Sequence, residues 1–306
     1  MPSLRDHQSN EFTKCLLIGD SKAGKTGSLA SLVAAGYKLR ILDYDNGLDV
    51  LKKFVLRDSP DKLDNVEFRT LRDKRKATQT GAVIDGPPKA FVDGLRMLDR
   101  WKYGDVDLGV PGDWGPECIL VLDSLSRFAE AAFDFREPLA VKGRSGEIDR
   151  RAIYKDAQDA VINTIATLTS ESFRTNVIIL AHIRYVEMED GKKKGFPQAI
   201  GSAICSEIPQ WFNSYALYEN NGGKRTLRTT STMLIDLANP APFDMAPSYP
   251  IETGLAQFFA VLREPPKQGA QNAPVNVRVL EPHGRPEGNH VARPTGGQGV
   301  LRRPGT

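Results

Sequence analysis

Apolar residues in this chain fall into short unbroken runs, separated by segments in which they recur every three or four positions. Cys15-Leu16-Leu17-Ile18, Cys118-Ile119-Leu120-Val121-Leu122 and Val177 to Ile183, broken only by His182, are runs of strand length. Continuous runs of this kind mark strands covered on both faces. Leu39 to Asp43 and Val66 to Leu71 predict two more strands. Between them, Leu29, Leu32 and Val33 mark one face of a helix that stops at Gly36, and Leu48 to Leu56 predicts a second helix. Phe91, Leu95, Leu98 and Trp101 repeat at helical spacing, and residues 150–170 place Ala157, Val161, Ile165 and Leu168 along one side of a long helix. Residues 103–117 are rich in turn formers and predict a surface excursion. Ser214 to Glu219 and Arg225 to Thr230 flank Asn221-Gly222-Gly223, a hairpin signal. Strands alternating with helices predict an α/β fold: a mainly parallel sheet with helices on both faces, closing on a C-terminal antiparallel hairpin.

Composition alters this picture at the ends of the chain. The 306 residues suffice for one large domain or two small ones, and 41 basic against 38 acidic residues leave a net charge of only +3. From Glu264 to Thr306 there are seven prolines, seven glycines and few large apolar groups, and six basic residues oppose three acidic ones. Such a segment cannot bury enough surface to offset its ordering entropy. We therefore expect a short flexible N-terminus (1–11), an ordered domain (12–262) and a disordered basic tail (263–306), with the stretch from Glu264 onward carrying the whole net charge. Cys15, Cys118 and Cys205 lack metal-ligand spacing and suit a reducing compartment, where thiols simply pack. With no signal peptide and no apolar run near 18 residues, the expectation is a soluble cytoplasmic protein without a membrane partner.

Chemistry is concentrated at the ends of the predicted strands. Gly19-Asp20-Ser21-Lys22-Ala23-Gly24-Lys25-Thr26 fits G-x-x-x-x-G-K-[ST], between a strand and a helix, with Gly27 continuing into that helix. Glycines let backbone N–H groups curl round a phosphate, and the helix points its positive end at the anion. Lys25 would reach the β- and γ-phosphates, and the Thr26 hydroxyl would ligate Mg²⁺. A second Mg²⁺ ligand should end a buried strand, and Asp123 does; the alternative is that Asp123 only caps the helix from Leu125. Period-two alternation puts Asp43 and Asp45 on one side at the end of the second strand, where a carboxylate handles water or else belongs to a polar turn, Asp45-Asn46-Gly47. His182 ends another apolar run, as a sensor of the γ-phosphate or as a structural residue.

In this order, the parts resemble the RecA-like recombinase core, particularly the short phage members that anneal single strands. The resemblance covers about 15–230 and rests on Gly19–Thr26, Asp43-Tyr44-Asp45 followed by Gly47-Leu48-Asp49, Val121-Leu122-Asp123-Ser124, and Ala181-His182-Ile183-Arg184. It implies a RecA-like P-loop NTPase fold and ATP with Mg²⁺ as cofactors. It makes Asp45 the activator of water where the family usually has Glu, and His182 the link from γ-phosphate to DNA loops where the family commonly has Gln. The lack of an [NT]-K-x-D motif, which reads guanine in GTP-binding families, agrees with adenine. The two DNA loops of the family would correspond to Val141–Gly146, with Lys142 and Arg144, and to Glu187–Ile200, with Lys192, Lys193 and Lys194. Both stretches are basic, as loops that track a phosphate backbone should be, although the three lysines also suit a solvated hairpin tip. The resemblance implies a DNA-stimulated ATPase that binds single-stranded DNA and promotes annealing or recombination. It further implies a homo-oligomeric ring or filament with ATP at subunit interfaces, a single-strand-binding protein as a partner, and host cytoplasm as the location if a phage encodes it. Two other readings stand beside it: an ATPase that loads or remodels a replication partner, and a small-molecule phosphotransferase.

Overall fold

An apolar run becomes a strand when both of its faces can be covered, and here they are. The computed structural model describes residues 11–140 and 149–264. They lie in the first of the chain's two units, Met1–Lys267; the second, Gln268–Thr306, falls outside the described residues. So do the expected N-terminal segment up to residue 10, the tail from 265 onward, and Lys142 and Arg144.

The chain opens with β1 (Lys14–Gly19), α1 (Lys25–Ala34), β2 (Lys38–Asp43), α2 (Asp49–Asp58) and β3 (Val66–Thr70). A hairpin, β4 (Arg75–Thr78) and β5 (Gly81–Ile84), precedes α3 (Ala90–Asp99). The turn-rich stretch holds a two-rung hairpin, β6 (Lys102–Tyr103) and β7 (Val106–Asp107), and the start of the nine-residue β8 (Gly115–Asp123). Next come α4 (Leu125–Arg136), α5 (Arg150–Thr169), β9 (Thr175–Ala181), and the hairpin β10 (Ile183–Glu187) and β11 (Lys193–Pro197). Last are α6 (Ala203–Glu207), β12 (Ser214–Asn221), β13 (Lys224–Arg228), β14 (Ser248–Pro250) and α7 (Gly254–Arg263).

Eight strands form the main sheet in the order β14-β13-β12-β1-β9-β8-β2-β3. From β12 to β3 every pairing is parallel, and β13 and β14 add an antiparallel edge. Alternate residues of the central strands enter two separate cores. Leu16, Ile18, Leu120, Leu122 and Ile179 pack with α3, α4 and α5, while Leu17, Leu39, Ile41, Val121 and Ile178 pack with α1, α2 and α7. The fold is the mainly parallel α/β sheet with an antiparallel edge that the hydrophobic pattern predicts, and the RecA-like P-loop architecture that the resemblance implies. Hydrogen-bonded pairing sets Asp43 beside Asp123 and Asp123 beside Leu180, so the carboxyl ends of β2, β8 and β9 meet at one edge next to the end of β1. This is where ligands bind in open α/β sheets.

Two elements carry no signal in the hydrophobic pattern, and a third, α7, carries one at helical spacing that the reading above leaves unused. The β4–β5 hairpin buries almost nothing, so no alternation announces it. β14 has only three residues, and α7, which ends at Arg263 where the tail was expected to begin, is defined by Leu255, Phe258, Phe259 and Leu262 docking on the α1 side of the sheet.

Candidate functional site

The site grows from the turn after β1. Ala23 N–H donates to the Asp20 carbonyl at 3.2 Å, and the loop turns back through two left-handed residues, Lys22 at φ 65° and Gly24 at φ 102°. Gly24 is there for a steric reason: that φ strains any L side chain, and a Cβ would also meet Arg225 and Ile251 at 3.2 Å. α1 then starts with no side-chain cap and no acidic residue in its first turn. Its first N–H groups lack intrahelical acceptors, so the loop and the helix end together form a cradle for an anion.

Lys25 lies folded into this cradle. Its Nζ donates to the carbonyls of Gly19 at 2.8 Å and Asp20 at 2.9 Å and sits 3.4 Å from His182 Nδ1. Burial lowers its pKa, and the charges of Asp123, Asp45 and Asp20 oppose that shift. Thr26 Oγ1 donates to Asp123 Oδ2 at 2.7 Å across 97 residues of sequence. The other carboxylate oxygen of Asp123 is buried without a partner. Desolvation lifts the Asp123 pKa to about 7; Asp45 and Asp43 add to the shift, while Thr26 and Lys25 oppose it. A buried carboxylate with an orphan oxygen beside a hydroxyl fits a hard divalent cation completed by phosphate oxygens.

Asp43 and Asp45 part company, contrary to the alternation expected of them. β2 ends at Asp43, whose Oδ1 accepts from Asn46 N–H at 2.7 Å and whose Oδ2 accepts from Thr70 Oγ1 at 3.3 Å, so Asp43 holds the turn. The bend turns Asp45 into the cleft, with Oδ2 3.4 Å from His182 Nε2 and Oδ1 3.8 Å from Arg127 Nε. Burial would raise the Asp45 pKa, but His182, Ser124 and Arg127 together hold it below the usual value. His182 thus stands between Lys25 and Asp45. Its main chain is also tied: its N–H donates to Ser126 Oγ at 3.1 Å, Ser126 Oγ donates to the Gln198 carbonyl at 2.9 Å, and Gln198 N–H donates back to the His182 carbonyl at 2.7 Å. One imidazole therefore links the loop lysine, the Asp45 carboxylate and the root of the β10–β11 hairpin.

The three lysines are not on a free loop. Lys193 and Lys194 belong to β11, and Lys192 follows the turn. Lys192 pairs with Asp190 at 2.9 Å and Lys194 with Asp236 at 2.8 Å. From 183 to 200 the hairpin region carries four basic and three acidic residues, a net charge of +1.

Beyond the cradle, a cleft of about 440 Å³ runs between α2 and the antiparallel edge. Phe54 closes one side against Gly27, where a Cβ would stand 2.8 Å from the ring, and Arg225 and Ile251 close the other. Sequence reasoning missed these walls, together with Ser126 and Arg127. The last two had a signal, because they begin the helix that follows Asp123. Phe54, Arg225 and Ile251 had none, since only strand and helix packing brings them to α1.

Strand order, phosphate loop and strand-end carboxylates together define a RecA-like P-loop ATPase. Residues 11–236 match the family described as AAA domain (AAA_24), and the chain belongs to that family. No curated protein matches it. Among solved structures it is similar to the RadB recombinase, at 14% identity over 79% of this chain and 89% of that one, with a TM-score of 0.42. It is also similar to EscN of the enteropathogenic E. coli type III secretion system, solved with its central stalk EscO, at 14% identity over 68% and 42% of the two chains and a TM-score of 0.38. No helix among the described residues is long and apolar enough to cross a membrane.

Proposed function

We propose that this protein binds and hydrolyses ATP with Mg²⁺ and uses the nucleotide cycle to hold and release single-stranded DNA, promoting annealing or recombination. Gly19 to Gly27 cradle the phosphates, and Lys25 leaves the Gly19 and Asp20 carbonyls for the β- and γ-phosphates. Thr26 and Asp123 hold Mg²⁺, which neutralises phosphate charge when bound. Asp45, kept ionised by His182 and Arg127, orients and deprotonates the attacking water. Copies of the chain assemble along the strand as a ring or filament, in the cytoplasm.

The observation that carries this reading is the position of His182. Its ring lies 3.4 Å from both Lys25 and Asp45, and its main chain is pinned at the root of the β10–β11 hairpin. A γ-phosphate arriving at Lys25 must displace contacts of that ring, and so bears on the hairpin. The test is binding of a labelled single strand with and without ATP, together with ATP turnover with and without DNA. ATP-dependent retention and DNA-stimulated turnover are expected; turnover that is indifferent to DNA, with no strand retained, refutes the reading. The ion pairs of Lys192 and Lys194 favour a second reading, an ATPase that loads or remodels a protein partner. Accelerated annealing of complementary strands supports the first reading over the second.

A further inference from the structure

The β4–β5 hairpin and the segments that root it, residues 72–89, hold five basic residues (Arg72, Lys74, Arg75, Lys76 and Lys89) against two acidic ones, Asp73 and Asp85, a net charge of +3. All four residues of β4 are exposed, as are Arg72 and Lys74 just before it, and only Ile84 of β5 is part-covered. A two-stranded hairpin that packs on nothing is marginal in water. Within the hairpin the contacts are local: the Lys76–Asp85 ion pair at 2.9 Å, Asp85 N–H donating to the Lys74 carbonyl at 2.7 Å, and Thr78 Oγ1 donating to the Gly81 carbonyl at 2.7 Å. Its rungs therefore contribute almost nothing to the core. Charge on an exposed strand guards it against edge pairing, but mixed signs do that as well as one sign. The single-sign excess calls for an anionic partner.

The hairpin is also placed to act on the nucleotide site. It leaves the sheet at the end of β3, on the same edge as Asp123 and Asp45. Its root is tied to α4 by Arg75, whose Nη2 lies 3.1 Å from Asp134 Oδ2. Asp73 fastens the other end, accepting from Lys89 N–H at 2.7 Å at the start of α3. Arg72 and Arg75 line a cleft of about 230 Å³ together with Arg127, the α4 residue that faces Asp45, and with the carboxylates of Asp73, Glu130 and Asp134, so the excess of positive charge lies on the hairpin outside the cleft. The β10–β11 hairpin has only a net +1 over residues 183–200, and two of its three lysines are paired; of Arg72, Lys74 and Lys76 at β4–β5, Lys76 alone is paired among the described residues.

The geometry points to the β4–β5 hairpin as the main phosphate-backbone contact for single-stranded nucleic acid, with Arg72, Lys74 and Lys76 as the contacting cations. The inference rests on the proposed DNA reading, and it assigns the contact to a surface different from the lysines of β11. Each phosphate contact on a single strand adds roughly 0.7 to the slope of log affinity against log salt. Exchanging Arg72, Lys74 and Lys76 for Gln is expected to flatten that slope by about 2, measured by fluorescence anisotropy of a labelled oligonucleotide with the full chain and ATP. Arg75 is left in place because it anchors the hairpin. The melting temperature should stay close to wild type, since none of the three packs on the core and the one ion pair removed, Lys76–Asp85, is exposed on both sides; if it falls, the single changes Arg72→Gln and Lys74→Gln, each expected to flatten the slope by about 0.7, decide the matter.

The control variant Lys192→Ala/Lys193→Ala/Lys194→Ala should change the slope less than the hairpin variant does. Parallel salt lines for wild type and the hairpin variant overturn this assignment and leave the DNA reading standing. No binding of any single strand by wild type overturns both. Displacement of the oligonucleotide by polyglutamate at an equal concentration of charges overturns it too, because the surface would then be built for an acidic polypeptide.

Discussion

Asp123→Asn should stabilise the nucleotide-free protein and disable it in the same stroke. The Asp123 carboxylate is fully desolvated, one of its oxygens has no partner, and its pKa stands at about 7 against 3.8 for a free aspartate. Because the folded state holds this proton more tightly than the unfolded chain does, stability falls as pH rises through the interval between the two values, and levels off above about 7. Three pH units at 1.36 kcal/mol each put the loss at roughly 4 kcal/mol, a large part of the typical 5–15 kcal/mol of a domain. Asparagine keeps an oxygen for Thr26 Oγ1 to donate to and has no charge to desolvate. The assay is denaturant unfolding of wild type and variant in chelator at a series of pH values from 4 to 8. The stability difference should grow in favour of the variant as pH rises, by roughly 4 kcal/mol in all; the difference curve cancels groups that titrate alike in both. Added Mg²⁺ and nucleotide should reverse the order by stabilising wild type alone. A flat difference curve, or one that favours wild type at high pH without ligand, would refute the reasoning by showing that water or a partner reaches the carboxylate in the folded protein.

Lys25→Ala removes the cation at the centre of the cradle and should abolish nucleotide binding, as read by fluorescent-nucleotide titration; equal affinity in both proteins would remove the phosphate-loop assignment. Asp45→Asn should preserve nucleotide binding and slow hydrolysis by about 10²–10⁴-fold, measured in single turnover, and unchanged turnover would take the water-handling role away from this carboxylate. Gly19→Ala should destabilise the fold by about 1–3 kcal/mol in denaturant titration, since the added Cβ would stand 2.8 Å from Tyr218 Cβ and 3.0 Å from its carbonyl oxygen, where the neighbour is main chain and cannot swing aside.

The parts readable from sequence are those that a few consecutive residues make by themselves. The phosphate loop is eight contiguous residues whose glycines, lysine and threonine have roles defined by local backbone geometry, so the turn from β1 into α1 at Gly19 to Thr26 is legible without any tertiary information. The unbroken apolar runs mark doubly covered strands whatever their neighbours are, and Asp123 at the end of one of them was found for the same reason.

Pairing and packing decided the rest. The separate positions of Asp43, in the turn, and Asp45, in the cleft, depend on a hydrogen bond from Asn46 N–H that closes the turn at the end of β2. The lysines of the β10–β11 hairpin lost their free charge in part to Asp236, 42 residues away from Lys194. Arg225 and Ile251 reach Gly24 only because the sheet sets β12 beside β1 and carries β13 and β14 along with it. A side chain's type and its immediate neighbours set what it is able to do. Which partner desolvates it, neutralises it or leaves it exposed depends on strand order, which residues far apart along the chain determine together.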